Sequence, residues 1–338
     1  MALLVELSGE MIDLASHEAW ATASMLADVE VDTLLSDGPV RVLDAPGVDG
    51  GRLASRLGLA HHVSDQAVSG DIEDAIELAA TMDLGDAASF RVRVHRSVLA
   101  PQACEPKAIE AEVGAIIRER TGSRVDLNRP EVEVRLVLTE MAHIGLLGGS
   151  VDRKAMAGRA VKHRPFSHPV SIHPKFARAM LNVARIPLGG RVMDPFCGTG
   201  GILIEAALLG YQAMGSDIDP RMVEGSERNL LAMSLDAEVR VSDVSKAAEG
   251  LDMAPDAIVT DPPYGRSTSL HGGATEGVIE GLYEMAASCL PSEGRLVVCL
   301  PDMEMLPHEG GDFEVSSVHS MKVHRSLTRH VCVLIRRF

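Results

Sequence analysis

The stretch Arg191-Val-Met-Asp-Pro-Phe-Cys-Gly-Thr-Gly-Gly201 decides the fold. Residues 191–196 form a β-rich run, and the apolar pattern of 201–209 is typical of a helix. The glycines between them lack a Cβ, and the helix start offers free backbone N–H groups, so a ligand can approach the loop closely. No G-x-x-x-x-G-K-S/T phosphate loop is present, and Leu203 replaces the third glycine of the dinucleotide fingerprint. The stretch predicts a strand, a cofactor loop and a helix.

Downstream of this loop, β-rich runs alternate with helical patterns, which is typical of a doubly wound parallel sheet. We predict strands at 212–218, 238–242, 256–260 and 295–300, and helices at 220–233 and around 278–289. The last two strands, 313–323 and 330–335, are separated by too few residues for a crossover helix. They therefore predict an antiparallel hairpin at the edge of a seven-stranded, Rossmann-like α/β sheet in residues 186–338.

The first 150 residues lack this rhythm. Strands are clearest at 91–95 and 132–138, and helices at 72–80 and 107–120, which favours a separate α+β domain. Gly148-Gly149-Ser150 and the basic stretch behind it have the composition of a connection between domains. We therefore expect a boundary near residue 150, followed by a linker and entry helix over 151–185.

Charge is distributed unevenly along the chain. The net charge is −16, yet residues 151–185 carry eight Lys or Arg and one acid, and residues 321–338 carry five Lys or Arg and no acid. Because a polyanion needs positive potential only where it binds, these basic segments favour a nucleic-acid partner despite the acidic remainder. Lys154, Lys162 and Arg164 are predicted RNA contacts on this ground; a solvated linker is the alternative interpretation.

The remaining composition bears on membrane association, cellular location and metal binding. No stretch approaches the roughly 18 uncharged apolar residues of a membrane span, so we expect no membrane partner. The five cysteines are odd in number and form no C-x-x-C pair, which favours a reduced, cytoplasmic location. We find no pattern of metal ligands and interpret His95, His143 and His319 as core or surface residues.

The motif Asp261-Pro-Pro-Tyr264 follows the fourth predicted strand of the sheet, on the same edge as the glycine loop. Asp261 supplies an anionic acceptor, Pro262 a free carbonyl and Tyr264 a flat ring. An exocyclic amine of a base is a poor nucleophile, because its lone pair is delocalised into the ring. Hydrogen bonds to Asp261 and the Pro262 carbonyl would localise that pair, while Tyr264 would stack on the base.

Several residues at the same edge are candidates for cofactor binding. Asp217 ends the second strand, where nucleoside-binding folds place an acid for ribose hydroxyls. The alternative is an acid at the N-terminus of the next helix, a role that Asp219 before Pro220 could equally supply. Asp243 follows the third strand and could meet an adenine or merely form a turn. Cys197 has no identifiable base partner, so we interpret it as lining the cofactor site rather than as a nucleophile.

Taken together, these motifs resemble the archaeal tRNA guanine-10 N2-methyltransferase family, in which a THUMP-type RNA-binding domain precedes a methyltransferase domain. The resemblance includes Arg164-Pro-Phe-Ser-His-Pro169, Phe176-Ala-Arg-Ala-Met-Leu-Asn182, Gly215-Ser-Asp-Ile-Asp219, Gly265-Arg266 and Val323-His-Arg-Ser-Leu-Thr-Arg-His330. In the N-terminal half it is looser and involves Phe90-Arg-Val-Arg-Val-His-Arg96, Lys107 and Val125-Asp-Leu-Asn-Arg-Pro130. It covers nearly the whole chain.

The resemblance implies S-adenosylmethionine as cofactor and tRNA as partner. It implies an N-terminal module over 1–45, a THUMP-like domain over 46–150 and a class I methyltransferase domain over 186–338. The implied residues are catalytic Asp261, Pro262 and Tyr264; cofactor-binding Asp194, Cys197, Gly198, Thr199, Gly200, Asp217, Ile218 and Asp243; and RNA-binding Arg93, Arg96, Lys107, Lys154, Lys162 and Arg164.

The expected reaction is the addition of one or two methyl groups to N2 of guanine 10 by a monomer, with or without a small activating subunit. Other tRNA or rRNA guanines and adenine N6 in DNA are alternative targets, because D-P-P-Y serves exocyclic amines generally. A catalytically inactive RNA-binding scaffold is the alternative from another class of protein.

Overall fold

The chain folds into two units, Met1–Asp152 and Arg153–Phe338. A computed structural model describes residues 2–168, 171–263, 275–324 and 327–338. Within these ranges no helix is long and apolar enough to cross a membrane.

The N-terminal unit contains one sheet of eight strands in the order β2-β3-β1-β4-β8-β7-β5-β6. Its elements are β1 (Ala2–Leu7), α1 (Ile12–Ala27), β2 (Asp32–Asp37), β3 (Val40–Asp44), α2 (Gly50–Arg56), β4 (Ala60–Gly70), α3 (Ala75–Ala80), β5 (Ser89–Arg96), α4 (Pro106–Thr121), β6 (Arg124–Val125), β7 (Val132–Leu138) and β8 (Ala142–Ser150). Strand β1 pairs antiparallel with both β3 and β4. The predicted boundary between residues 45 and 46 therefore lies inside one continuous sheet.

Buried charges in this unit are matched by opposite charges. Arg135 on β7 donates to Glu6 on β1 at 2.7 Å and to Glu133 at 2.7 Å. Arg91 on the neighbouring β5 also pairs with Glu133. Because each carboxylate meets a guanidinium, the sheet buries these groups without leaving an uncompensated charge.

The C-terminal unit contains a seven-stranded sheet in the order β11-β10-β9-β12-β13-β15-β14. Its elements are α5 (Arg153–Gly158), α6 (Pro174–Val183), β9 (Arg191–Asp194), α7 (Gly201–Leu208), β10 (Gln212–Asp217), α8 (Pro220–Ala232), β11 (Glu238–Val241), β12 (Ala257–Thr260), α9 (Thr275–Cys289), β13 (Arg295–Leu300), β14 (Phe313–His324) and β15 (Leu327–Arg336). Strands β9 to β13 run parallel, and β15 and β14 are antiparallel. The predicted Rossmann-like sheet with its C-terminal hairpin is confirmed.

The order of the strands reverses beside β9, since the chain proceeds from β9 to β10 and β11 on one side and returns to β12 on the other. In open parallel sheets, ligands bind in the crevice outside the carboxyl ends of the strands at such a reversal. The crevice lies between Asp194, the last residue of β9, and Asp261, directly after β12.

Local sequence signals account for the helices next to this crevice. Helix α7 is buried along Ile202, Leu203 and Ile204, as the apolar run predicts. Helix α8 begins at Pro220, and Asp219 caps it by accepting from Arg221 N at 2.9 Å. A separate apolar cluster joins α9 to the sheet through Leu282, Ala286 and their neighbours.

The segment predicted as a basic linker and entry helix over 151–185 is part of a folded unit for most of its length, and α6 lies where the entry helix was expected. Its residues from Arg153 onward belong to the C-terminal unit and form α5 and α6. Arg159 and Arg178 donate to the buried Glu205 of α7 at 2.8 Å and 2.9 Å. These basic residues neutralise an acid inside the unit, so their charge is not available to a partner.

Candidate active site

Asp194 connects the two strands that flank the crevice. Its Oδ1 accepts hydrogen bonds from Thr260 Oγ1 at 2.6 Å and from Phe196 N at 3.1 Å. The side chain is buried, and this burial, together with the negative charges of Asp261 and Asp217, raises its pKa to about 7. The bond to Thr260 fixes the glycine loop relative to the D-P-P-Y motif.

The glycine loop has a backbone that only glycine adopts easily at two positions. Gly198 and Gly200 have φ values of 51° and 77°. A Cβ on Gly200 would also collide with Ser226 Oγ of α8. Gly198 N donates to Asp217 Oδ2 at 3.0 Å, which ties the loop to the end of β10.

Cys197 and Thr199 lie on either side of Gly198 in this loop. Both are buried, and Thr199 Oγ1 lies 2.8 Å from Ser171 Oγ. Burial raises the pKa of the Cys197 thiol far above its usual range, and Asp194 adds to the effect. A thiol in this state is a poor nucleophile, which agrees with its interpretation as part of the wall of the site.

Asp217, Ile218 and Asp243 lie at the carboxyl ends of β10 and β11. Asp217 Oδ1 accepts from Asp219 N at 2.9 Å, and burial raises the pKa of Asp217. The Ile218 side chain is 69% exposed and offers an apolar surface beside it. Asp243 is exposed and accepts from Ser245 Oγ and N at 2.7 Å and 2.9 Å, bonds that lower its pKa. The three side chains follow adjacent strands on one edge.

Asp261 and Pro262 lie on the other side of the crevice. Asp261 Oδ2 accepts from Arg329 Nη1 at 3.0 Å, and Pro262 is buried. Tyr264 falls outside the residues that the structure describes, so its predicted stacking stays a prediction. The structure thus brings Asp194, Asp217 and Asp261 to one edge, since both of the other carboxylates act on the pKa of Asp194.

The predicted RNA contacts differ in their accessibility. Lys154 and Lys162 in the C-terminal unit are exposed, as are Arg96 and Lys107 in the N-terminal unit. Arg96 Nη1 donates to Gln102 O at 3.0 Å. Arg93 is half-buried and lies 3.8 Å from Glu110. The exposed four have charges that a phosphate could reach.

Arg164 is the exception and requires a correction. It is 6% exposed, its Nε donates to Arg159 O at 2.9 Å, and its Nη1 lies 3.5 Å from Thr199 Oγ1. A guanidinium enclosed in this way cannot reach RNA without local unfolding. We therefore reassign Arg164 from an RNA contact to a support beneath the glycine loop.

Asn229 of α8 is a further support that the sequence motifs did not identify. Its buried amide donates to Phe166 O and to Thr199 O at 2.9 Å each, and its Oδ1 accepts from Phe166 N at 2.9 Å. The ring of Phe166 covers Gly225, where any Cβ would collide with it. Asparagine in the interior of a helix and a glycine four residues before it were the available signals.

The site carries more negative than positive charge. Among the described residues no lysine or arginine forms an ion pair with Asp194 or Asp217, whose partners are backbone N–H groups and a hydroxyl. Within the same residues no group of His, Cys, Asp and Glu has the arrangement of a metal site. A ligand that is cationic at one end and has hydroxyls for Asp217 would fit this arrangement.

Comparisons with known proteins agree with this geometry. Residues 162–331 match the family model described as "RMKL-like, methyltransferase domain". The tRNA (guanine(10)-N2)-dimethyltransferase of Methanothermobacter thermautotrophicus is 38% identical over 99% of this chain and all of its own length. The enzyme of the same name from Pyrococcus abyssi is 33% identical over 98% of this chain and 99% of its own.

Two solved structures share the fold over nearly the whole chain. TrmN from Thermus thermophilus has a TM-score of 0.55 at 24% identity and covers 99% of this chain and 100% of its own. SMU.472, a putative methyltransferase complexed with SAH, has a TM-score of 0.51 at 14% identity and covers 100% and 98%. At these identities the likeness supports the fold alone.

Proposed function

The chain belongs to the tRNA (guanine(10)-N2)-dimethyltransferase family, and on that premise we propose that it transfers methyl from S-adenosylmethionine to N2 of guanine 10 in tRNA. The observation that carries the proposal is the hydrogen bond from Thr260 to Asp194. It holds the glycine loop and the D-P-P-Y motif, which serve two different ligands, at one reversal point of the sheet. The two ligands would therefore meet there.

The cofactor half of the site suits S-adenosylmethionine in charge and shape. Asp217 would accept the ribose hydroxyls, Ile218 would contact the adenine face and Asp243 its amino edge. The backbone of Gly198 to Gly200 would pass close to the methionine portion. The carboxylate of Asp194, which has no cationic partner among the described residues, complements a positively charged sulfonium or ammonium group.

The substrate half of the site prepares an amine. Asp261 would accept one N–H of guanine N2 and the Pro262 carbonyl the other, which localises the nitrogen lone pair. When bound, S-adenosylmethionine supplies a methyl carbon on a good leaving group, so no base is needed before the transfer. The residues orient the amine, and Asp261 can hold the N–H until the methylated nitrogen loses its proton.

The N-terminal unit and basic residues outside the crevice would bind the tRNA. A guanine in folded tRNA is stacked, so the target must flip into the crevice, where Tyr264 would hold it. The exposed Lys154, Lys162, Arg96 and Lys107 would contact phosphates, and the N-terminal unit would act as a THUMP-type RNA-binding domain. The monomeric state and the cytoplasmic location stay predictions from the sequence.

The test is single-turnover methylation of a tRNA transcript, followed by mass spectrometry of its nucleosides. We expect N2-methylguanine or N2,N2-dimethylguanine at position 10, and no product from a transcript with adenine at that position. Asp261→Ala should lower the rate on the order of 100-fold while cofactor affinity changes little. Asp261→Asn keeps the shape and one acceptor, so it measures the contribution of the charge.

Other outcomes would contradict the proposal. Product at another guanine would reassign the target, and product in ribosomal RNA alone would reassign the substrate. Binding of both tRNA and cofactor without any product would favour an inactive scaffold. A wild-type rate for Asp261→Ala would disprove the role of D-P-P-Y.

A further inference from the structure

Strand β15 extends past the sheet edge at which the site lies. Its pairing with β13 begins at Leu300 and His330, so Arg329 is one residue beyond the carboxyl end of β13. Strand β12 neighbours β13 and ends at Thr260, directly before Asp261. The extension of β15 therefore places Arg329 at the crevice, although Arg329 and Asp261 are 68 positions apart in sequence.

Arg329 meets the carboxylate of Asp261 in a largely enclosed ion pair. The distance from Nη1 to Oδ2 is 3.0 Å, and the two side chains are only 18% and 12% exposed. Charge-assisted hydrogen bonds of this kind are short and directional, and solvent screens them less when they are enclosed. The pair therefore restrains the orientation of the Asp261 side chain more than an exposed pair would.

The other end of the hairpin provides a comparison for a purely structural role. Arg336 on β15 pairs with Asp312 at 2.7 Å, where the acid is 59% exposed. Arg336 lies opposite Phe313, beyond the amino end of β13, on the edge away from the crevice. An ion pair thus occurs at both ends of the hairpin, but only the pair at the crevice involves a residue of D-P-P-Y.

We propose that Arg329 is a positioning residue for methyl transfer, because its guanidinium holds the Asp261 carboxylate in one orientation toward the guanine amine. The inference rests on the proposed function, since Asp261 must receive the amine for Arg329 to matter. Arg329 acts through Asp261 and need not touch the cofactor. Its role is distinct from that of a phosphate contact, which would act on the affinity for tRNA.

A double-mutant cycle tests this role in the full-length chain. Arg329→Met should lower the single-turnover rate at saturating tRNA and cofactor by about 10-fold to 100-fold, as expected for loss of a preorganising polar group. In an Asp261→Asn background, Arg329→Met should change the rate less than about twofold, since residues that act as a unit are not additive. Arg329→Lys, which keeps the charge, should recover part of the rate.

Binding measurements and a matched variant complete the experiment. The dissociation constants of S-adenosylmethionine and tRNA should stay within about twofold for Arg329→Met, and Arg336→Met should retain the wild-type rate. Multiplicative effects in the cycle, or a selective loss of tRNA affinity, would overturn the proposal in favour of an RNA contact. An equal loss for Arg336→Met would overturn it in favour of a general role of the hairpin.

The failure of this inference can be told from the failure of the proposed function. If Asp261→Asn and Asp261→Ala both methylate at the wild-type rate, the D-P-P-Y mechanism is wrong. If they are slow and Arg329→Met is as active as wild type, only the role of Arg329 is wrong. If Arg329→Met melts at a much lower temperature, the double-mutant cycle is repeated with Arg329→Lys and Arg329→Gln. Both variants should lower the rate in the wild-type background, and this loss should largely disappear in the Asp261→Asn background.

Discussion

Two regions of the C-terminal unit bury carboxylates in opposite ways. On α7, Glu205 is fully buried between Arg159 and Arg178, which donate to its two oxygens. At the carboxyl edge of the sheet, Asp194 is also buried, but a hydroxyl and a backbone N–H are its donors. One acid is neutralised by the protein, and the other is not.

The difference separates an acid that arginines neutralise on a helix from an acid that has no cationic partner among the described residues at the sheet edge. An ion pair offsets the cost of burying both partners, and the Glu6, Arg135 and Glu133 network of the N-terminal unit follows the same rule. A buried carboxylate without a cation raises the free energy of the ionised state until a positive ligand arrives. Asp194 therefore favours a cationic ligand at its side of the crevice, whereas the charge of Glu205 on α7 is already balanced.

Removal of the matched acid should have the largest effect. Glu205→Ala leaves two guanidinium groups without their partner in the interior and should destabilise the fold by about 3–5 kcal/mol. Thermal and urea unfolding of the full chain measure this loss. Glu304→Ala, at an exposed acid of the same unit, is the control and should leave the unfolding midpoint within error. An unchanged unfolding midpoint for Glu205→Ala would show that the ion pairs of Glu205 do not stabilise the fold.

Removal of an unmatched acid should affect binding instead of stability. Asp217→Ala should weaken the binding of S-adenosylmethionine by roughly 1.5–3 kcal/mol, the scale of a charged hydrogen bond, with little change in melting temperature. Isothermal calorimetry decides this. Asp219→Asn keeps the cap of α8 and should bind the cofactor normally. An unchanged dissociation constant for folded Asp217→Ala would remove Asp217 from the site.

The raised pKa of Asp194, about 7, predicts pH-dependent cofactor binding. A cationic ligand favours the ionised carboxylate, so binding lowers this pKa and releases a proton. Affinity should therefore be full above pH 7 and fall below it by at most about tenfold per pH unit. Titrations between pH 5.5 and about 8.5 test this. Asp194→Asn keeps an acceptor for Thr260 and should flatten the profile; an equally steep profile in that variant would exclude Asp194 as its origin.

The smallest expected effect is on tRNA binding, and it compares an exposed basic residue with a buried one. Lys162 is exposed, and Lys162→Gln should weaken tRNA binding slightly and reduce the slope of log affinity against log salt by about one. Arg164 is buried, so Arg164→Gln should lower the melting temperature and leave the salt slope unchanged. Filter binding over a range of salt concentrations measures both slopes. Equal slopes for the two variants would mean that burial does not separate their roles.

Local patterns were sufficient for much of the site. The glycine loop and the D-P-P-Y motif each follow a predicted strand, Asp217 lies at the end of another, and parallel strands bring their carboxyl ends to one edge. The C-terminal hairpin followed from the short spacing between its strands, although β15 begins at Leu327, three residues before the predicted start. The extra residues carry Arg329 and could not be recognised from hydrophobic pattern alone.

The sequence could not tell which basic residues of the segment 151–185 are buried, and the reason is physical. A run of Lys and Arg has the same composition whether its charges face solvent or an acid in the interior. Glu205 lies in an apolar helix 46 residues after Arg159 and 27 after Arg178, so no local pattern joins them. Asn229 and Phe166 are likewise separated by 63 residues.

By itself the sequence determined which groups are present at the edge of the sheet, because strand periodicity and motif order act over a few residues. Only the tertiary structure decided which charges are matched, since ion pairs such as Asp261 with Arg329 join residues 68 positions apart. Coulomb energy depends on distance and burial in space, and neither is encoded in a short stretch of chain. These distances in space show that Arg159 and Arg178 meet an acid of the interior, whereas Arg329 meets Asp261 of the D-P-P-Y motif.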